Sequence, residues 1–347
     1  MRSRQGQRNE QPRVSTVMQG QRGAGAPSHF VTGETPRTEP AGAAISPRDG
    51  RDLGSTGMGA VAEVWRYPFK SMGGERIGAS EVTSRGLPGD RAWACRDEVR
   101  GGIRGAKQLG PLMQLDARYP DGDVTAAPLV SLPGGASFPA DAPDAAERVS
   151  EALDHLVTIW PLQPATDLDH YRRGRPVHAD RYDDARATFG LDPEDPFPDF
   201  STMPADLWRL IKEYECPPGT YFDAYPLSVV SRQSLEALAR RSPGSRVDVR
   251  RFRANLLVDL PEADGEFPEQ AWAGHTVRVG EAEVQVVERI ARCVMISRPT
   301  GDLPADRDMQ KVVVRQLDHS MGVYAYVAKA GRVQEGDEVE VLGPTTP

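Results

Sequence analysis

From Met58 onward glycine and proline cut the chain into short runs, and this punctuation limits the folds it can reach. GAVAEVWRYPFKS alternates around Val61, Glu63 and Trp65 and stops at Pro68. EVTSRGLPGDRAWACRDE places Gly86, Pro88 and Gly89 as turn residues between two short runs. LMQLDARYPDGDVTAAPLVSLPGG repeats the style. In the second half VDVRRFRANLLVDL, HTVRVG, EAEVQVVERIARCVMIS, GVYAYVAKAG and DEVEVL read as strands, with Gly280 and Gly331 at strand-linking turns. The expected fold is mainly β (α+β), with two β-barrel-like domains over 58–215 and 216–347 and a few peripheral helices, not a doubly wound sheet.

Three segments keep helical spacing. DAAERVSEALDHLV, about 145 to 158, puts Val149, Ala152, Leu153 and Leu156 on one face. PADLWRLIKEY has Pro204 near its start. SRQSLEALAR, from Ser231 to Arg240, has Ser231 as N-cap. LPADRDMQKVVVRQL adds one helix between strands, and the charged stretch TDLDHYRRGRPVHADRYDDARATFGLDPEDPFPDF reads as an excursion or lid. Residues 1–57 are rich in Gly, Pro, Arg, Ser and Thr, without periodicity or an apolar signal segment. They are expected to form a disordered tail, with Met58 as the true start.

The net charge of −8 argues against a nucleic-acid partner, and no apolar run reaches the length of a membrane span. Cys95, Cys216 and Cys293 are widely spaced and odd in number, without a CxxC pair. That excludes a disulfide scaffold or a structural zinc site as expectations and points to a reduced, cytoplasmic compartment. No GxGxxG follows a strand, so electrons for any redox step are expected from a separate protein.

Four stretches hold polar residues that a plain barrel does not require: Lys70 and Ser71 in YPFKSM, Asp90 and Arg91 in GDRAW, RRFRANLLVDL, and ARCVM around Cys293. In the third, Arg251, Arg253 and Asn255 are expected on one side of a strand and Phe252 and Ala254 on the other. Taken singly, each has a plain structural explanation: a solvated strand end, a surface pair, an edge charge, a packed thiol. Together they suit an anionic ligand that also bears a metal. Arg forks and Lys grip phosphate, Asn reads a heterocycle edge, and a Cys beside cations favours the thiolate that binds metals.

YPFKSM, GDRAW, RFRANLLVD, RCVM, GVYAYV and the closing GRVQEGDEVEVL, in this order, resemble the MOSC family over about residues 59 to 342. The first half resembles the MOSC N-terminal β-barrel domain and the second the MOSC domain. Proteins of this layout include the mitochondrial amidoxime-reducing component and bacterial relatives. The resemblance implies a molybdopterin-type molybdenum cofactor held between the two halves. It makes Cys293 the catalytic residue and metal ligand. Lys70, Ser71 and Arg91 would contact the cofactor from the first half, and Arg253 and Asn255 from the second, with Tyr324 on the pocket wall. Where these reductases carry a Ser or Thr before the proline and a Ser two before the ligand Cys, this chain has Tyr225 and Ala291.

The resemblance implies an oxidoreductase that performs two-electron oxygen-atom transfer on a small molecule, such as reduction of an N-hydroxylated compound, with an external electron-donor protein. The alternative is a sulfur carrier or cofactor-handling protein without redox turnover, holding a persulfide on Cys293. A further alternative keeps the fold as an interaction module. A sulfurase would need an additional pyridoxal phosphate domain, so that cofactor is not expected here.

Overall fold

The computed structural model describes residues 59–345 apart from 202. The expected tail over 1–57 and the start at Met58 lie outside the described residues. Seven strands close a barrel. In order around it they are Gly59–Arg66, Leu256–Asp259, Leu227–Ser231, Ser320–Lys329, Ala282–Ala291, His275–Val279 and Glu338–Pro344, which returns to Gly59–Arg66. The Leu227–Ser231 and Leu256–Asp259 pair is parallel and the other neighbours are antiparallel. Of the other strands of the first half, Glu75–Arg76 pairs with Gly59–Arg66, Ala79–Val82 pairs with Gly331–Gln334 of the second half, and the rest form two three-stranded sheets. The chain is thus mainly β with helices at the periphery, as the turn punctuation leads one to expect.

Alternation explains the barrel interior. Val61, Val64, Val229, Val258, Val277, Val284, Val286, Val323 and Ala325 point inward and form its core. On the 320–329 strand the residues between them, Tyr324 and Tyr326, therefore face outward. A second core lies outside the barrel and belongs mostly to the first half. Phe69, Met72, Cys95, Leu112, Met113, Val130 and Val149 form it, and Met295 and Cys293 from the second half pack against it. The seam between these two cores is where the polar residues of the sequence collect.

Ser231 caps the Arg232–Arg241 helix as expected, its Oγ accepting from Ser234 N at 3.0 Å. The first helix is shorter than its spacing predicts. It spans Ala145–Leu153 and ends at Asp154 in the left-handed region (φ 48°). Val157–Pro161 then pairs with Trp93–Asp97 as a strand, leaving Leu156 60 % exposed. β-branched Val157, Thr158 and Ile159 and a cross-strand partner override the helical spacing. Gly331 opens the Gly331–Gln334 strand and does not form a turn. Among the described residues no helix is long and apolar enough to cross a membrane.

Candidate functional site

RRFRANLLVDL departs from the expected strand. Asp248 accepts from Arg250 N at 2.9 Å and caps one helical turn, Val249–Phe252. Arg253 then takes a left-handed conformation (φ 52°), and the strand begins only at Leu256. The expected row of Arg251, Arg253 and Asn255 is broken. Arg251 is buried and donates to the carbonyls of Arg246 (3.0 Å), Arg298 (3.2 Å) and Pro304 (2.8 Å), so it fastens the loop that follows Cys293. Asn255 is 1 % exposed and its amide is used inside the fold. Its Oδ1 accepts from Ser228 N, Ser228 Oγ and Arg91 Nη1, and its Nδ2 donates to Trp65 O at 3.4 Å.

Seven described non-glycine residues have φ in the left-handed range, and Ser71 (70°), Arg91 (47°) and Arg253 (52°) are three of them. Such backbone costs of order 1–3 kcal/mol per residue and persists where the surroundings enforce it, which happens most often at binding sites. Arg91 pairs with Asp90 and donates to the Arg253 carbonyl at 3.0 Å. Arg253 donates to the Phe69 carbonyl at 3.1 Å. The Tyr67 ring joins both guanidiniums, with centroid distances of 5.0 Å to Arg91 and 4.3 Å to Arg253. Ser71 lies against Gly105, where a Cβ would come within 2.6 Å of its hydroxyl.

Lys70 is buried. Its ammonium donates to the Tyr221 carbonyl at 3.1 Å and to Asp223 Oδ1 at 2.5 Å. The other Asp223 oxygen meets Lys107 at 3.2 Å. Burial alone would raise the Asp223 carboxyl, but Lys107 and Lys70 outweigh it and hold the group far below the usual carboxylate range. Burial likewise acts to lower Lys107, and the Asp223 carboxylate reverses this and holds the ammonium above the usual lysine range.

Cys293 stands at the end of the 282–291 strand and caps a short 3₁₀ turn, Val294–Ser297. It is the one partly exposed cysteine among the three, and burial pushes the others up, Cys95 to about 12 and Cys216 to about 11. Lys107, Arg292 and Tyr324 lie within electrostatic range of its sulfur. Arg292 donates to Met321 O at 2.7 Å and Phe252 O at 3.0 Å. Burial pushes both Arg292 and Arg253 down to about 10. Burial also pushes Tyr324 up to about 12.

Among the described residues, three buried donors here have no partner: Arg253 Nη1, Arg292 Nη2 and Arg298 Nε. A buried unpaired guanidinium N–H is costly and signals a missing acceptor. The structure therefore gathers Lys70, Ser71, Arg91, Arg253, Tyr324 and Cys293 along one seam and keeps Asn255 beneath it. Lys107, Asp223, Tyr67, Arg292 and Arg298 belong to the same cluster and were not singled out from the sequence. Arg292 carried a signal, since it adjoins the cysteine in ARCVM. Lys107 and Asp223 lie in the irregular stretches GAKQLGP and GTYFDAYP, whose residues show no pattern.

Residues 58–157 match the family model of the MOSC N-terminal beta barrel domain and residues 218–340 that of the MOSC domain. The chain is 24% identical to mitochondrial amidoxime reducing component 2 of Bos taurus over 334 residues, covering 84% of this chain and 86% of that protein. It is 24% identical to mitochondrial amidoxime-reducing component 1 of Homo sapiens over 318 residues, covering 82% and 84%. The solved structure of the YUAD protein from Bacillus subtilis aligns with a TM-score of 0.37 and 11% identity, over 83% of this chain and 97% of that one. With both domain models matched in order, the chain belongs to the MOSC-domain family.

Proposed function

We propose that this protein is an oxidoreductase that binds a molybdopterin-type molybdenum cofactor in the seam between its two cores and reduces N-hydroxylated small molecules. The observation that carries the reading is the set of orphaned buried guanidinium donors, Arg253 Nη1, Arg292 Nη2 and Arg298 Nε, around a partly exposed cysteine. A cofactor with a phosphate and a polar ring system supplies acceptors for such donors, and a metal takes the sulfur.

In this reading Lys70, Ser71, Arg91 and Arg253 hold the anionic end, and Cys293 is the metal ligand. When bound, the cofactor supplies two-electron oxygen-atom transfer. The chain's own residues do the rest. Arg251 anchors the loop after Cys293 and so fixes the sulfur against the second core. Asp223 keeps Lys70 and Lys107 paired and in place. Tyr67 spaces Arg91 from Arg253, so that two buried like charges share one aromatic face. The electron source is a separate donor protein, and the compartment is the cytoplasm.

The test is elemental analysis with pterin fluorescence on protein made in a host that synthesises molybdenum cofactor, wild type beside Cys293→Ser. Near-stoichiometric metal and pterin in wild type, with metal lost in the variant, is the expected result. It should be accompanied by reduction of benzamidoxime with an artificial electron donor. Metal-loaded protein that never turns such substrates over overturns the reductase reading. Protein with neither metal nor pterin overturns the cofactor reading and favours sulfur carriage on Cys293.

A further inference from the structure

The charged stretch that reads from the sequence as an excursion or lid is fastened to the second half by a clasp. Its helix Arg181–Phe189 lies against the Val294–Ser297 turn that Cys293 caps. Gln310 donates to the Phe189 carbonyl at the end of that helix, at 2.6 Å. Asp192 and Asp195 then dock on the helix Arg307–Gln316. Arg307 and Arg315 reach Asp192 at 3.1 and 3.0 Å, and Arg315 Nε donates to Asp195 Oδ1 at 2.8 Å. The other Asp195 oxygen accepts from Asp192 N at 2.9 Å.

His319 lies beneath this clasp. It is 1 % exposed and left-handed (φ 60°). Its N–H donates to Val313 O at 3.0 Å, and its carbonyl accepts at 2.8 Å from the N–H of Arg292, the residue before Cys293. The ring faces the Pro196 carbonyl of the excursion, and neither ring nitrogen makes a well-aligned hydrogen bond among the described residues. The charged groups nearest it are Asp318, on its own turn, and Asp195, whose oxygens are already engaged. On the strand side Arg292 turns its guanidinium to Met321 O and Phe252 O. From the Pro268–Trp272 turn, Gln270 donates to Ser320 O and Glu269 accepts from Ser231 and Ser234. A neutral imidazole asks for one acceptor here, and Pro196 is placed to supply it. An imidazolium brings a charge and a second N–H into a buried site where no aligned acceptor meets it. Burial accordingly pushes His319 below the ordinary histidine value, against the opposing pull of Asp318, Pro196 and Asp195.

We propose that His319 is a pH-sensitive latch for the 181–197 excursion: the neutral ring lets the clasp close on the turn after Cys293, and the protonated ring releases it. A closed form that resists protonation is fully favoured above the ordinary histidine value of about 6.5 and loses that advantage progressively as pH falls below it. Release frees the excursion from the turn that Cys293 caps, while the barrel stays folded. The latch concerns how the excursion is held and stands or falls independently of any cofactor in the seam.

Hydrogen–deuterium exchange of the full chain at pH 7.5 and pH 5.5, read as protection factors, tests it. Peptides from 181–197 should lose about five- to tenfold in protection at the lower pH, while the barrel strand Ala282–Ala291 keeps its protection. His319→Asn tolerates a left-handed backbone and does not titrate, so its excursion should be equally protected at both pH values. Asp195→Asn should loosen the excursion at both pH values and keep the pH ratio at least as large, because Arg315 holds the Asp195 ionisation below the ordinary carboxylate value. His178→Asn, exposed in the segment just before the Arg181–Phe189 helix, should respond as wild type does. Equal protection at both pH values in wild type overturns the latch. So does a pH ratio that survives in His319→Asn, or one that disappears in His178→Asn. Parallel loss over Ala282–Ala291 would mean global unfolding and overturns it too. Should His319→Asn fail to fold, Asp195→Asn still decides, since a pH ratio abolished there assigns the effect to the carboxylate and not to the ring.

Discussion

Asp223 takes one ammonium on each carboxylate oxygen, and this arrangement has a pH signature. Its folded-state ionisation lies below the ordinary aspartate value of about 3.9. The stability it contributes is therefore fully present above that value and is lost as pH falls through the lower folded value. Asp223→Asn should cost about 1 kcal/mol at pH 7 and low salt, a figure reduced for the partial exposure of the carboxylate. Urea unfolding at pH 7 and pH 3 checks this: the gap between wild type and variant should narrow at the lower pH and in high salt. Gly105→Ala is a second residue-scale probe. The new Cβ would meet the Ser71 hydroxyl, so pterin retention after gel filtration should fall severalfold while the melting temperature changes by only a few degrees. At this scale much of the seam was legible in the sequence, because Lys70, Arg91 and Cys293 sit at strand ends where a barrel needs no such groups. The counter-ion was not legible. Lys70 meets Asp223 across 153 residues, and nothing local marks either as the other's partner.

Among the elements, single-strand alternation proved readable where one face enters the barrel and misleading where a cap intervened. Val284 and Val286 point inward as a period-two reading requires. RRFRANLL has the same alternation, but Asp248 starts a helical turn and Arg253 leaves it left-handed, which sends Arg251 and Arg253 in different directions. That turn has a function in the architecture, since Arg251 spans to the loop 296–304 behind Cys293. Arg251→Met leaves several buried carbonyls unpaired and should cost on the order of 3 kcal/mol. Scanning calorimetry should show a fall of roughly 5–10 °C. Limited proteolysis should report new cleavage within 296–304, and metal content should drop further than stability alone explains. Unchanged cleavage in that loop would mean Arg251 does not hold it.

Over the whole molecule, the matched MOSC segment, 218–340, lacks a strand of its own barrel. Gly59–Arg66 lies between Leu256–Asp259 and Glu338–Pro344 and closes the ring. Without it the barrel has two open edges and an exposed Val-rich interior. Residues 218–340 expressed alone should therefore remain unfolded or aggregate by circular dichroism and light scattering. Co-expression with residues 58–217 should restore a soluble complex. A cooperative melt by the isolated segment would refute this dependence. Turn punctuation told of β structure throughout but could not tell which strands close a ring, since closure is a property of ends far apart in the chain.

The same closure fixes an order of events during synthesis. The strand Gly59–Arg66 leaves the ribosome early, while its partners at Leu256–Asp259 and Glu338–Pro344 leave late. At about 5–20 residues per second the first strand waits on the order of ten seconds or more before either neighbour exists. During that interval the nascent chain carries an unpaired apolar edge that a chaperone has time to cover. Arg91 from the early half and Arg253 from the late half can meet only once residue 253 has emerged, so the seam that holds both is assembled late in synthesis.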